Sequence, residues 1–179
     1  MNITVYLGSV QGNRDIYRKL AVELGTWIGE NGHTLVYGGS GVGLMGVLLK
    51  ASYDAGAYTI GVEPKVFLDQ GLTSPYVKEL IEVEDFPSRR MKMIELGDVF
   101  IAMPGGTGTL DEISEVMCYL RLGMLDQPCI LLNTDGFYEG LKTQLDMMVK
   151  EGFLDGKARE RITFVKDIEE LKRVLDRNS

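Results

Sequence analysis

Short apolar runs alternate with helical patterns along the whole chain, and that alternation restricts the fold more than any other feature of the sequence. Residues 3–7, 34–37, 58–62, 99–103 and 129–132 read as buried strands: each is apolar, rich in β-branched or aromatic side chains, and too short for a helix. Shorter apolar stretches at 80–83 and 162–165 add two further candidate strands. Helical periodicity fills 15–30, 44–55, 88–96, 113–122, 137–150 and 168–175, with Asn31-Gly32 and Gly56 as stop signals. The stretch 65–87 is otherwise irregular. Strands that alternate with helices of this length imply a parallel sheet, right-handed crossovers and helices on both faces. The expectation is one doubly wound, Rossmann-like α/β domain over residues 1–179, with ligands bound at the carboxyl ends of its strands.

Composition limits the partners. At 179 residues and 45% hydrophobic content the chain can bury one sizeable core. A net charge of −7 argues against general binding to nucleic acid or to an anionic membrane, since both require a basic face. Cys118 and Cys129 lie in apolar stretches without CxxC spacing and read as reduced thiols, so we expect a cytoplasmic protein. The N-terminus enters a strand directly, with no basic-then-apolar leader, and no apolar run approaches the roughly 20 residues of a membrane span. His33 is the single histidine and sits at a turn, which removes histidine-based triads and histidine-ligated metal clusters; no metal is expected. The methionines at 91, 93, 117, 124, 147 and 148 read as core or interface filler.

Two glycine-rich turns carry the chemistry. The first, Gly38-Gly-Ser-Gly-Val-Gly43, follows a strand and opens a helix, and Gly41-x-Gly43-x-x-Gly46 matches the dinucleotide fingerprint literally. Glu63, at the end of the next strand, falls where a ribose-binding acid is expected. The fingerprint ordinarily follows the first strand, and here it follows the second. Three readings stay open: a dinucleotide turn, a turn approaching a smaller nucleotide through Gly39, Ser40, Gly41, Gly43 and Met45, or a purely structural connection.

The second turn, Pro104-Gly-Gly-Thr-Gly-Thr-Leu-Asp-Glu112, empties a buried strand into a helix N-terminus. Small residues let a ligand approach the backbone, the first helical N–H groups lack partners, and the helix dipole favours an anion there. A phosphate on Gly105, Gly106, Thr107, Gly108 and Thr109 fits, with Asp111 and Glu112 one turn further on. Thr109-x-x-Glu112 also reads as a capping box, which would tie the glutamate to its own helix start. Upstream, Ser88 is a candidate cap for a helix whose first turn carries Arg89 and Arg90; cations at that end call for compensation, which a bound phosphate supplies.

These residues resemble those of the Lonely Guy (LOG) family, the cytokinin riboside 5′-monophosphate phosphoribohydrolases often mislabelled lysine decarboxylases. The likeness rests on Pro104–Glu112, on Arg89-Arg90 ahead of it, on Tyr37-Gly-Gly-Ser-Gly-Val-Gly-Leu-Met-Gly46, and on Leu131-Leu-Asn-Thr-Asp-Gly-Phe-Tyr138. The chain departs from the family pattern at Phe86-Pro87, at Arg90 where lysine is common, and at Thr107 where tyrosine is frequent. Near Gln70-Gly71 it has no clear counterpart of an acidic residue that many members carry. The resemblance implies Arg89 and Glu112 as catalytic residues, the 105–109 turn and Arg90 as phosphate-side contacts, no cofactor, and a homodimer. It implies hydrolysis of the N-glycosidic bond of a purine nucleoside 5′-monophosphate, cytokinin-type or AMP itself, to free base and ribose 5-phosphate. Two alternatives remain. One is a nucleotide- or phosphate-binding module without turnover. The other, a decarboxylase, would need a Schiff-base lysine, and none of Lys50, Lys65, Lys78 and Lys92 has a recognisable cofactor setting.

Overall fold

The computed structural model describes residues 1–68 and 74–177, so Gln70 and Gly71 lie outside the described residues. A single all-parallel sheet of seven strands runs through it in the order β4-β3-β2-β1-β5-β6-β7. The strands are β1 (Asn2–Tyr6), β2 (Thr34–Tyr37), β3 (Tyr58–Pro64), β4 (Glu79–Val83), β5 (Val99–Ala102), β6 (Cys129–Leu132) and β7 (Ile162–Val165). The helices are α1 (Asp15–Glu30), α2 (Gly43–Asp54), α3 (Lys65–Leu68), α4 (Phe86–Leu96), α5 (Thr107–Arg121), α6 (Glu139–Lys150), α7 (Gly156–Glu160) and α8 (Ile168–Asp176).

Strand side chains alternate between two layers, as the period of two dictates. Ile3, Val5, Leu35 and Ile101 face one core with Leu24 and Ile28 of α1, Leu48 and Leu49 of α2 and Leu171 of α8. Tyr6, Val36, Val62 and Phe100 face the other, with Met93 of α4 and Ile113, Val116 and Leu120 of α5. The α1–α2 contact is close because Gly25 and Gly29 lie flat against α2; a Cβ at Gly25 would come within 2.7 Å of the Leu48 carbonyl oxygen.

The chain steps outward from β1 through β2 and β3 to β4, then returns to lay β5 on the opposite side of β1. Strand order reverses there, and the carboxyl ends of β1 and β5 splay apart into a crevice. Several local readings change. Strand β3 runs two residues past its expected end at 62 and closes at Pro64, in register with Val83 of β4. Helix α4 begins at Phe86, capped by Asp85, whose carboxylate accepts from the Ser88 N–H at 2.8 Å. Ser88 is therefore not the cap, and Pro87 sits in the first turn, where a missing N–H costs nothing. Helix α7, capped by Asp155, has no counterpart in the sequence reading.

Candidate functional site

The crevice at the β1–β5 reversal is a cavity of about 450 Å³. Its wall includes Tyr6, Gly38, Ser40, Met45, Glu63 and Arg89 on one side and Gly106, Thr107, Gly108, Thr109 and Glu112 on the other. Both glycine turns thus open into one space.

Helix α5 starts at Thr107 with Gly106 as its N-cap, and no side chain caps it. Thr109 consequently stands inside the first turn and cannot close a capping box with Glu112; that reading is corrected. The Glu112 carboxylate instead accepts from Arg89 Nη1 at 2.9 Å. At Gly106 and Gly108 an added Cβ would meet no atom of the described residues within 4 Å, so the helix mouth is open space, and the first amides of any helix lack intrahelical acceptors. The preceding strand end is fixed: Tyr138 Oη donates to the Met103 carbonyl at 2.6 Å, and the Gly8 N–H donates to the Pro104 carbonyl at 3.3 Å.

Arg89 joins three elements. Its Nε donates to the Val62 carbonyl at 3.1 Å, Nη1 to Glu112, and Nη2 to the Gly38 carbonyl at 3.2 Å. The Arg89 and Glu112 side chains are 13% and 10% exposed, so this ion pair is held away from bulk water. Burial pushes the Glu112 carboxyl above its ordinary range, and the adjacent Arg89 guanidinium opposes that rise. A carboxylate that is poised in this way, beside an open helix N-terminus, is suited to meet developing positive charge in the cavity.

Of the residues anticipated from sequence, Arg89, Glu112, Ser40, Met45 and the Gly106–Thr109 turn come together on the cavity. Gly105 lies beneath the turn, where its missing Cβ makes room for the Thr109 side chain. Arg90 turns outward to Glu115 at 2.6 Å and Asp111 at 3.0 Å, so this basic residue is engaged by helix α5. Gly41 and Gly43 border a separate cleft of about 800 Å³ between α1 and α2, with Gly46, Arg18 and Lys50. Gly39 packs against Glu63. The sequence reading gave no cavity role to Tyr6, Ser9, Phe86 or Met93, which line it; their contribution depends on long-range packing that no local motif encodes. Among the described residues lining the cavity no lysine is present, so the donor set does not fit a pyridoxal Schiff base.

The chain is similar to several known proteins. Residues 45–175 match a family described as possible lysine decarboxylase. A cytokinin riboside 5′-monophosphate phosphoribohydrolase of Arabidopsis thaliana is 41% identical over 174 residues, which is 97% of this chain and 81% of that protein. A probable enzyme of the same name from Oryza sativa subsp. japonica is 41% identical over 172 residues, covering 96% and 82% of the two chains. In fold, the chain is similar to the molybdenum cofactor binding protein of Rippkaea orientalis, with a TM-score of 0.72, 24% identity and 97% and 96% coverage. The Moco carrier protein of Chlamydomonas reinhardtii gives 0.71, 25% identity and 98% coverage of both chains. With a family match over most of its length and curated relatives at 41% identity, the chain belongs to the Lonely Guy family of phosphoribohydrolases, enzymes that hydrolyse N-glycosidic bonds.

Proposed function

We propose that this protein hydrolyses the N-glycosidic bond of purine nucleoside 5′-monophosphates, cytokinin ribotides or AMP, releasing the base and ribose 5-phosphate. The observation that carries the reading is the placement of the buried Arg89–Glu112 pair directly against the uncapped, open N-terminus of α5. The helix mouth at Gly106–Thr109 holds the 5′-phosphate through backbone donors and the helix dipole. That remote contact sets the ribose over Glu112, so binding energy far from the reacting carbon is used to orient it. Cleavage builds oxocarbenium-like charge on the ribose; ionised Glu112 stabilises that charge and accepts the proton of the attacking water. Arg89 acts by fixing Glu112 and by balancing the anionic ligand with its guanidinium.

A homodimer is part of the proposal. Met91, Leu122 and Met124, exposed by 48%, 62% and 66%, give the α4–α5 side apolar surface that the sheet does not use. We also place the enzyme in the cytoplasm as a protein that binds neither nucleic acid nor membrane. The net charge of −7 supports this, and among the described residues no helix is long and apolar enough to cross a membrane. The test is incubation with a panel of nucleoside monophosphates, nucleosides and lysine, followed by chromatography. Free base and ribose 5-phosphate from monophosphates alone is the expected result. Tight AMP binding with no base released would make it a carrier or sensor, and carbon dioxide from lysine would make it a decarboxylase.

A further inference from the structure

The cavity contains a second carboxyl group, Glu63, with a surrounding unlike that of Glu112. Glu63 is 2% exposed and lines the same wall as Arg89. Its Oε2 is fully buried and has no hydrogen-bond partner among the described residues. Such an atom calls for an explanation; Tyr6 Oη and Ser52 Oγ share the condition, but Glu63 is the only carboxyl group among the three, and it lines the cavity. The fold makes room for it: Gly39 has φ +85°, and a Cβ there would come within 2.8 Å of Glu63 Cβ and 3.3 Å of Oε2. The first glycine turn therefore leaves space for this acid.

Among the described residues the groups that face Glu63 are few. Arg89 approaches from α4 but forms its ion pair with Glu112 and spends its other donors on the Val62 and Gly38 carbonyls. Tyr37, on β2, donates its hydroxyl to the Gly39 carbonyl at 2.8 Å. On β4, Glu82 is the register partner of Glu63 and lies 3.7 Å from Lys65 Nζ. One guanidinium thus serves two carboxyl groups and engages one of them. Burial pushes both carboxyl groups up with Arg89 opposing, and what separates them is geometric: the Arg89 hydrogen bond goes to Glu112 and leaves Glu63 as the better placed proton donor. Position assigns the partner. The proposed phosphate turn follows β5, and Glu63 stands next to the last residue of β3, three strand spacings away or about 14 Å. In a nucleoside monophosphate the base is the group remote from the phosphate.

On the phosphoribohydrolase reading, we propose that Glu63 is the general acid that protonates the departing base. The C1′–N9 bond breaks with its electron pair going to the base, and the Glu63 carboxyl proton passes to a ring nitrogen of that base. A water oxygen bonds to C1′ and loses its proton to Glu112. Neutral base and ribose 5-phosphate leave, and solvent exchange returns the proton from Glu112 to Glu63.

The test compares wild type and Glu63→Gln on AMP and on 4-nitrophenyl riboside 5-phosphate, whose leaving group needs no proton. Glu63→Gln should lower kcat for AMP about 10²–10⁴-fold, leave the nitrophenyl substrate nearly untouched, and remove the alkaline limb of the AMP pH profile. Equal losses on both substrates would make Glu63 a positioning or structural residue and overturn the proposal, as would no loss on either. A wild type inactive on both substrates would sink the hydrolase reading itself and this assignment with it. Should Glu63→Gln fail to fold, Glu63→Asp supplies the same leaving-group contrast.

Discussion

The turn after β2 and the turn after β5 both join a buried strand to a helix without a side-chain cap, yet their glycines are surrounded differently. In the first, a Cβ on Gly38 would overlap the Arg89 guanidinium, one on Gly43 would overlap the Ser9 backbone, and one on Gly46 the Gly41 carbonyl. Those glycines are needed because the protein itself fills the space. In the second, Gly106 and Gly108 face nothing within 4 Å. Glycine there borders open space at the helix mouth among the described residues. Similar composition therefore packs closely in one turn and leaves space in the other, as the proposed phosphate site requires, and what separates them is the contact made by the absent Cβ.

The largest effect that would break this contrast is at the residue joining the two turns. Arg89→Ala strands a buried Glu112 charge and frees the Gly38 carbonyl; it should cost about 3–5 kcal/mol by denaturant unfolding and abolish turnover. Next, Gly43→Ala or Gly46→Ala should destabilise by about 1–3 kcal/mol or more, since backbone must shift, and activity should fall only as folded protein is lost. By contrast, Gly106→Ala and Gly108→Ala should leave the melting temperature nearly unchanged while raising KM for AMP roughly tenfold, near 1.4 kcal/mol of binding. A stability loss at 106 matching that at 43 would erase the distinction.

The smallest effect is one of pH. Burial raises the folded pKa of Glu63, so the unfolded chain releases this proton first as pH climbs. Native stability is then lost progressively from the unfolded carboxylate range up through the raised folded value. Glu63→Gln removes that loss. Its melting temperature should exceed wild type by a margin that grows with pH across this window and vanishes below it.

Much of the fold was legible because apolar runs of strand length are hard to mistake when glycine or a cap bounds them. β2, β6 and β7 and helix α1 run where the pattern puts them. The start of α4 was not, because Phe86-Pro87 looks like loop until Asp85 is seen to cap it. Thr109-x-x-Glu112 looked like a local cap, and only a helix beginning at Thr107 frees Glu112 for Arg89. The glycine-rich turn ahead of α5 is a local motif, and its place between a buried strand and a helix could be read directly. The acceptors of Arg89 lie 27, 51 and 23 residues away in sequence, and no spacing rule foretells them. Glu63 was visible as an acid at a strand end, but its orphaned oxygen is a property of the packed sheet.

Single-turnover mixing of AMP with wild type and with Glu112→Gln, alongside equilibrium binding to each, probes the chemical role of this carboxylate most directly. The account predicts adenine and ribose 5-phosphate in equal amounts from wild type, and from the variant a rate lower by about 10²–10⁴-fold with AMP still bound. Undiminished base release by Glu112→Gln would contradict it.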